Sequence, residues 1–225
     1  MSPHLRREIE RLKKSILSLS ALVEESVERA ARSIVDRDTE LADEVIQGDQ
    51  EIDEMEVSVE EECLKALALH QPVAIDLRFI ISVLKINNDL ERMGDLAVNV
   101  AERTENIVAF GGVEIPFDLE EMARKTRRMV SNALDSLVQM DSGLARQVCR
   151  DDDEVDALNA QMFENVQDAI RKEPEKLQGY VHLMSAGRQL ERIADHATNV
   201  AEDVIYMIEG DIVRHTSLTK SSPNR

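Results

Sequence analysis

Tryptophan is absent, aromatic residues make up 3% of the 225 positions, and glycine (8) and proline (5) are scarce. A β-sandwich or barrel draws on aromatic and β-branched residues for its strands and on glycine and proline for its turns, so the composition excludes that class and points to helix. Only two cysteines occur, Cys63 and Cys149, with no CxxC pair. They read as small buried hydrophobes rather than a disulfide or a thiolate metal site. Positive charge is in short supply: 27 Lys and Arg against 45 Asp and Glu leave a formal net charge of −18. Nucleic acid is held through Lys and Arg, so this balance excludes it as a partner and argues against docking on an anionic membrane surface. An acidic surface suits cations or a basic patch on a protein partner, or serves solubility alone. No apolar run approaches the roughly 18 residues that span a bilayer, so no membrane insertion is expected. The opening residues MSPHLRREIERLKK lack the apolar centre of a signal peptide, and a soluble cytoplasmic protein is expected.

What is present is helical periodicity. Leu5, Ile9, Leu12, Ile16, Leu19, Val23, Val27, Ala30 and Ile34 follow one another in steps of three and four, the mark of a long amphipathic helix. A second helix is expected over about 39–70; Pro72 then forces a break or a new first turn, and a third helix is expected from about Pro72 to residue 109. Residues 110–116 (FGGVEIP) form the interior Gly/Pro cluster and read as a linker. The pattern then restarts, with helices expected over 118–140, 142–172 and 174–210. The expected class is all-α, two tandem antiparallel three-helix bundles: residues 1–110, a linker at 111–117, residues 118–211, and a disordered tail at 212–225.

The halves are related in sequence. LERMGDLAVNVAE at 90–102 and LERIADHATNVAE at 190–202 agree at nine of thirteen positions. A weaker match joins Asp49-Gln50-Glu51-Ile52-Asp53 to Asp152-Asp153-Glu154-Val155-Asp156. At 100° per residue, Leu90, Met93, Ala97 and Val100 mark the core face, and Glu91, Asp95, Asn99 and Glu102 lie nearly opposite. Such a face is usually plain solvated surface, where side chains drift fastest. Yet Glu91, Arg92, Asp95, Asn99 and Glu102 recur as Glu191, Arg192, Asp195, Asn199 and Glu202.

Carboxylates four apart on a helix share a face and repel unless something neutralises them; a divalent or trivalent cation converts repulsion into coordination. Each half offers two such pairs, Asp49/Asp53 with Glu91/Asp95 and Asp152/Asp156 with Glu191/Asp195. These eight residues are the expected metal ligands, with Asn99, Glu102, Asn199 and Glu202 in support. Acid pairs alone carry little weight, since Glu40/Glu44 and Glu56/Glu60 need no metal; the repetition is what singles out the eight. Arg92 and Arg192 either neutralise neighbouring acids or contact a partner or phosphate. His196 has no counterpart and reads as an ordinary, partly exposed histidine. A ferritin-like di-metal enzyme or store would use Glu-x-x-His, but Met1, Leu67, Gly179, Ile193 and Ile212 stand three before the five histidines. No Ser/His/Asp set or P-loop appears, so no enzyme is expected. A metal-free helical scaffold is the other alternative.

The twin LERxxDxxxNVAE motif, the DxxxD on the preceding helix and the stretch PVAIDLRFIISVLKINNDLE at 72–91 resemble the PhoU family over almost the whole chain. The resemblance implies a cytoplasmic, metal-binding negative regulator of the phosphate-starvation response. It would contact a sensor histidine kinase and the ATPase of a phosphate ABC transporter, reach the membrane through those partners, and form a homodimer. It places metal, iron first and Mg, Mn or Zn as alternatives, on the ExxxD and DxxxD acids, and marks Asp76 and Arg78 as candidate partner contacts. Lys176-Leu177-Gln178 replaces that Asp-Leu-Arg in the second half.

Overall fold

Six long helices follow from the periodicity just read. The computed structural model describes residues 3–111, 113–211 and 213, and contains no strand among them. The helices are α1 (Pro3–Asp36), α2 (Thr39–His70), α3 (Ile75–Ala109), α4 (Leu119–Gln139), α5 (Ser142–Lys172) and α6 (Leu177–Glu209). Three begin where an aspartate side chain accepts from otherwise orphaned N–H groups: Asp38 from Leu41, Asp118 from Glu121, and Asp141 from Gly143 and Leu144. All nine apolar positions of the first stretch are buried.

Two starts differ from expectation. The third helix begins at Ile75 rather than Pro72, because Gln71 closes α2 in the left-handed region and Ala74 again takes a positive φ. Pro72 and Val73 are spent in the turn. The sixth helix is preceded by a short 3-10 turn, Pro174–Lys176, in place of a continuous start at Pro174. Most of the expected tail lies outside the described residues.

Helices α1, α2 and α3 pack on one another, as do α4, α5 and α6, but the most extensive contact of all joins α3 to α6. Those two therefore lie at the centre of a row α2–α3–α6–α5, with α1 and α4 against each other on one side of it. The central pair is antiparallel: Arg78 lies at Gly210, Lys85 at Asp203, Asp89 at Asn199 and Phe110 at His182. Continuing that register brings Gly94 opposite Ala194, equivalent residues in the repeat, so a local two-fold axis relates the bundles. Val113 is buried, and its carbonyl accepts from Arg37. No helix among the described residues is long and apolar enough to cross a membrane.

Candidate metal centres

The central position of α3 and α6 changes where their acids stand. Each helix is covered on two sides, since α3 buries Leu90, Met93 and Ala97 and also Asp89, Leu96 and Ala101. The acids expected opposite the core occupy the narrow strip that remains, leaning toward the outer helix of their own bundle. Glu91, Asp95 and Glu191 are half-buried, whereas Asp195 is exposed, as are Asp53 and Asp156 on the outer helices. The Glu91 side chain is 24% exposed and that of Asp95 42%.

In the first groove, between α2 and α3, Gly94 lets the helices approach. A Cβ there would lie 3.2 Å from the Ile52 side chain and 3.4 Å from Asp49 Oδ1. Asp49 is half-buried, and its carboxyl is pushed above the usual range first by burial and then by Asp53 and Asp95. Glu91 is raised by burial and by Asp95, with Arg92 opposing. The four expected ligands on α2 and α3 are thus within electrostatic reach of one another. Arg92 sits between two of them, 3.3 Å from Glu91 and 3.2 Å from Asp95, which makes it their counter-ion. Asn99 turns its amide back to the Asp95 carbonyl at 2.8 Å, and Glu102 is exposed.

The second groove, between α5 and α6, is tighter. Oxygens of Asp156, Glu191 and Asp195 lie within 4.8 Å of one another. A hard cation with oxygen ligands at about 2.0–2.6 Å can bridge carboxylate oxygens so spaced. Asp152 joins them with its carboxyl pushed up to about 6, by burial first, then by Asp156 and Asp195, against an opposing Thr198 hydroxyl. Glu191 and Asp195 are raised by burial and by mutual or neighbouring carboxylates. Among the described residues Arg192 forms no ion pair, its Nη1 reaching Gln189 at 3.5 Å. The half-buried Cys149 borders this groove, and burial first, then Glu202 and Asp152, push its thiol up to about 11. Both cysteines are free, and Cys63 is fully buried with its thiol pushed up to about 12.

Three expected residues have other surroundings. Arg78 packs its guanidinium against Gly210 at the end of α6, so it ties the bundles together. Asp76 is half-buried in the first turn of α3, where a carboxylate suits the helix dipole. Asn199 reaches across the seam to Asp89 at 3.2 Å. The sequence reading missed Asp89 itself, which is buried and accepts from or pairs with His196 Nδ1 at 2.8 Å. Its signal lies in the repeat: Asp89 and His196 become Gln189 and Leu96 at the equivalent crossing, a joint change readable only once α3 and α6 are known to be antiparallel.

The sequence matches the PhoU domain family over residues 16–104 and 119–204. A phosphate-specific transport system accessory protein PhoU homolog of Aquifex aeolicus is 39% identical, the match covering 93% of this chain and 95% of the relative. The homolog of Pseudomonas aeruginosa is 36% identical over 98% of this chain and 91% of its own. Among solved structures, the crystal structure of PhoU from Pseudomonas aeruginosa superposes with a TM-score of 0.88 at 35% identity, covering 92% of this chain and 99% of that one. The phosphate transport system regulatory protein PhoU from Streptococcus pneumoniae gives 0.84 at 26% identity, covering 93% and 99%.

Proposed function

The chain belongs to the PhoU family, and on that premise we propose that it is a metal-binding accessory regulator of a phosphate-specific transport system rather than an enzyme. The observation that supports metal binding is the convergence of like charges twice over, in the grooves α2/α3 and α5/α6. Carboxyls raised by burial and by each other are compensated only in part, by Arg92 in the first groove, and a hard cation supplies the rest. Asp49, Asp53, Glu91 and Asp95 hold one centre, and Asp152, Asp156, Glu191 and Asp195 the other; iron, Mg, Mn or Zn is the candidate ion. The protein acts by contact, restraining the phosphate-starvation response in the cytoplasm through a sensor kinase and the transporter ATPase, and works as a homodimer. Relatives named as accessory proteins of phosphate-specific transport support that setting.

The test is elemental analysis of protein purified without chelators, together with the double variant Asp95→Ala, Asp195→Ala. Bound metal falls and phosphate control is disturbed, while helix content by circular dichroism survives. Unchanged metal content and unchanged regulation in that variant would overturn the role given to these acids.

A further inference from the structure

The seam between α3 and α6 carries a groove separate from both acid clusters. It opens on a cavity of about 520 Å³ lined by Ile81, Leu84, Lys85, Asn88, Asp89 and Asn199. Asp89 is 7% exposed, which is unusual for a carboxylate. Both of its bonds, from His196 Nδ1 at 2.8 Å and Asn199 Nδ2 at 3.2 Å, fall on Oδ1. No described residue bonds Oδ2, and Asp89 is one of the residues that line the cavity. A nearly buried carboxylate with one oxygen left for a visitor calls for a donor, and a cationic one above all.

The groove already seats one cation of its own. Lys85 Nζ lies 3.3 Å from the buried Asp203 and 5.3 Å from the Tyr206 ring centroid. That pairing commits the ammonium to Asp203 rather than to Asp89, whose own partners are His196 and Asn199. Ile81 and Leu84 offer an apolar wall beside the carboxylate, and the amides of Asn88 and Asn199 line the same cavity. An aliphatic stem ending in several N–H donors fits this combination, since long basic side chains lay their methylenes on apolar surface while the head seeks acceptors. A planar guanidinium is less strongly hydrated than an ammonium and gives up less on entering. The acid clusters on either side of the seam add attraction for a basic partner.

We infer that the α3–α6 groove is a receptor for an arginine side chain presented by a protein partner, with Asp89 as the group that holds its guanidinium. The probe is N-acetyl-arginine amide, followed by NMR of labelled Ile and Leu methyl groups. Saturable shifts at Ile81 and Leu84 are expected, together with their absence for the norleucine analogue, which has no charged head. Asp89→Asn weakens binding at least about tenfold, the scale expected when a charged acceptor becomes neutral. Asp95→Asn with Asp195→Asn leaves binding in place. Should Asp89→Asn fold poorly, Asn88→Lys on the exposed rim places a tethered ammonium at the same carboxylate and also abolishes binding. No saturable shift in the unmodified protein, equal binding by Asp89→Asn and Asn88→Lys, or loss only in the acid-cluster variant overturns the assignment.

Discussion

Gly210 and Arg78 show how much one contact can decide at the scale of single residues. Gly210 ends α6 with φ of +85°, and a Cβ there would collide with the Arg78 guanidinium. Gly210→Ala therefore pays twice, for a left-handed backbone and for displaced packing, and destabilises by about 1–3 kcal/mol. Urea unfolding checks this, and adding Arg78→Ala recovers the crowding part while the backbone part remains. Asp152 supplies a pH prediction. Its folded value of about 6 lies above the unfolded value near 3.9, so the folded chain holds more protons between them. The stabilising effect of protonation is full below about pH 4 and is lost as pH rises through about 6. In chelator-treated protein the melting temperature consequently falls across that window, and Asp152→Asn flattens the slope. The contact of Gly210 with Arg78 was not legible beforehand, because the two lie far apart in the chain, whereas Asp152 stood out by its pairing with Asp156 and only its burial and the approach of Asp195 were hidden.

The helices were far easier to read than their neighbours. Apolar steps of three and four located α2 and α5 to the residue, since caps such as Asp38 and Asp141 coincide with the ends of those patterns. The start of α3 was misplaced because a proline permits a first helical turn without requiring one. The acid pairs were legible from the repeat, but periodicity within one helix says nothing of what covers its other sides, so the part-burial of Asp49, Glu91 and Asp152 was not. The two grooves also differ in ways the motif hides. Gly94 permits close approach of α2, and Arg92 serves as counter-ion in the first cluster, whereas the second gathers three carboxylates with no ion-paired arginine among the described residues. Two outcomes follow for metal titrations monitored by melting temperature and stoichiometry. The second cluster fills at lower metal concentration than the first, because its ligands already converge. Gly94→Val forces α2 outward and removes the first centre while sparing the second.

For the whole molecule the governing feature is that the two bundles share a seam and that the seam is not symmetric. The local two-fold axis at Gly94 and Ala194 means that a second copy of the first bundle could, by backbone geometry alone, take the place of the second. Side chains forbid it. In such a pairing Arg103 would replace Asp203 opposite Lys85, setting like charges together, and Leu96 would replace His196 beside the nearly buried Asp89. Removing one partner from a buried charge costs about 3–5 kcal/mol, and a like charge in its place costs no less. Leu96, Ala101 and Ile107 are buried in the intact chain, and at least part of that apolar surface would be left uncovered in an isolated half. Residues 1–111 expressed alone are therefore expected to remain unpaired and prone to aggregation, whereas mixing them with residues 112–225 restores a one-to-one complex by light scattering. The decisive variant is Arg103→Asp with Leu96→His in the first half. It recreates both missing contacts between two identical copies and should convert that half into a homodimer. If the unmodified half already forms a stable dimer, the seam contacts named here do not govern how the bundles choose each other.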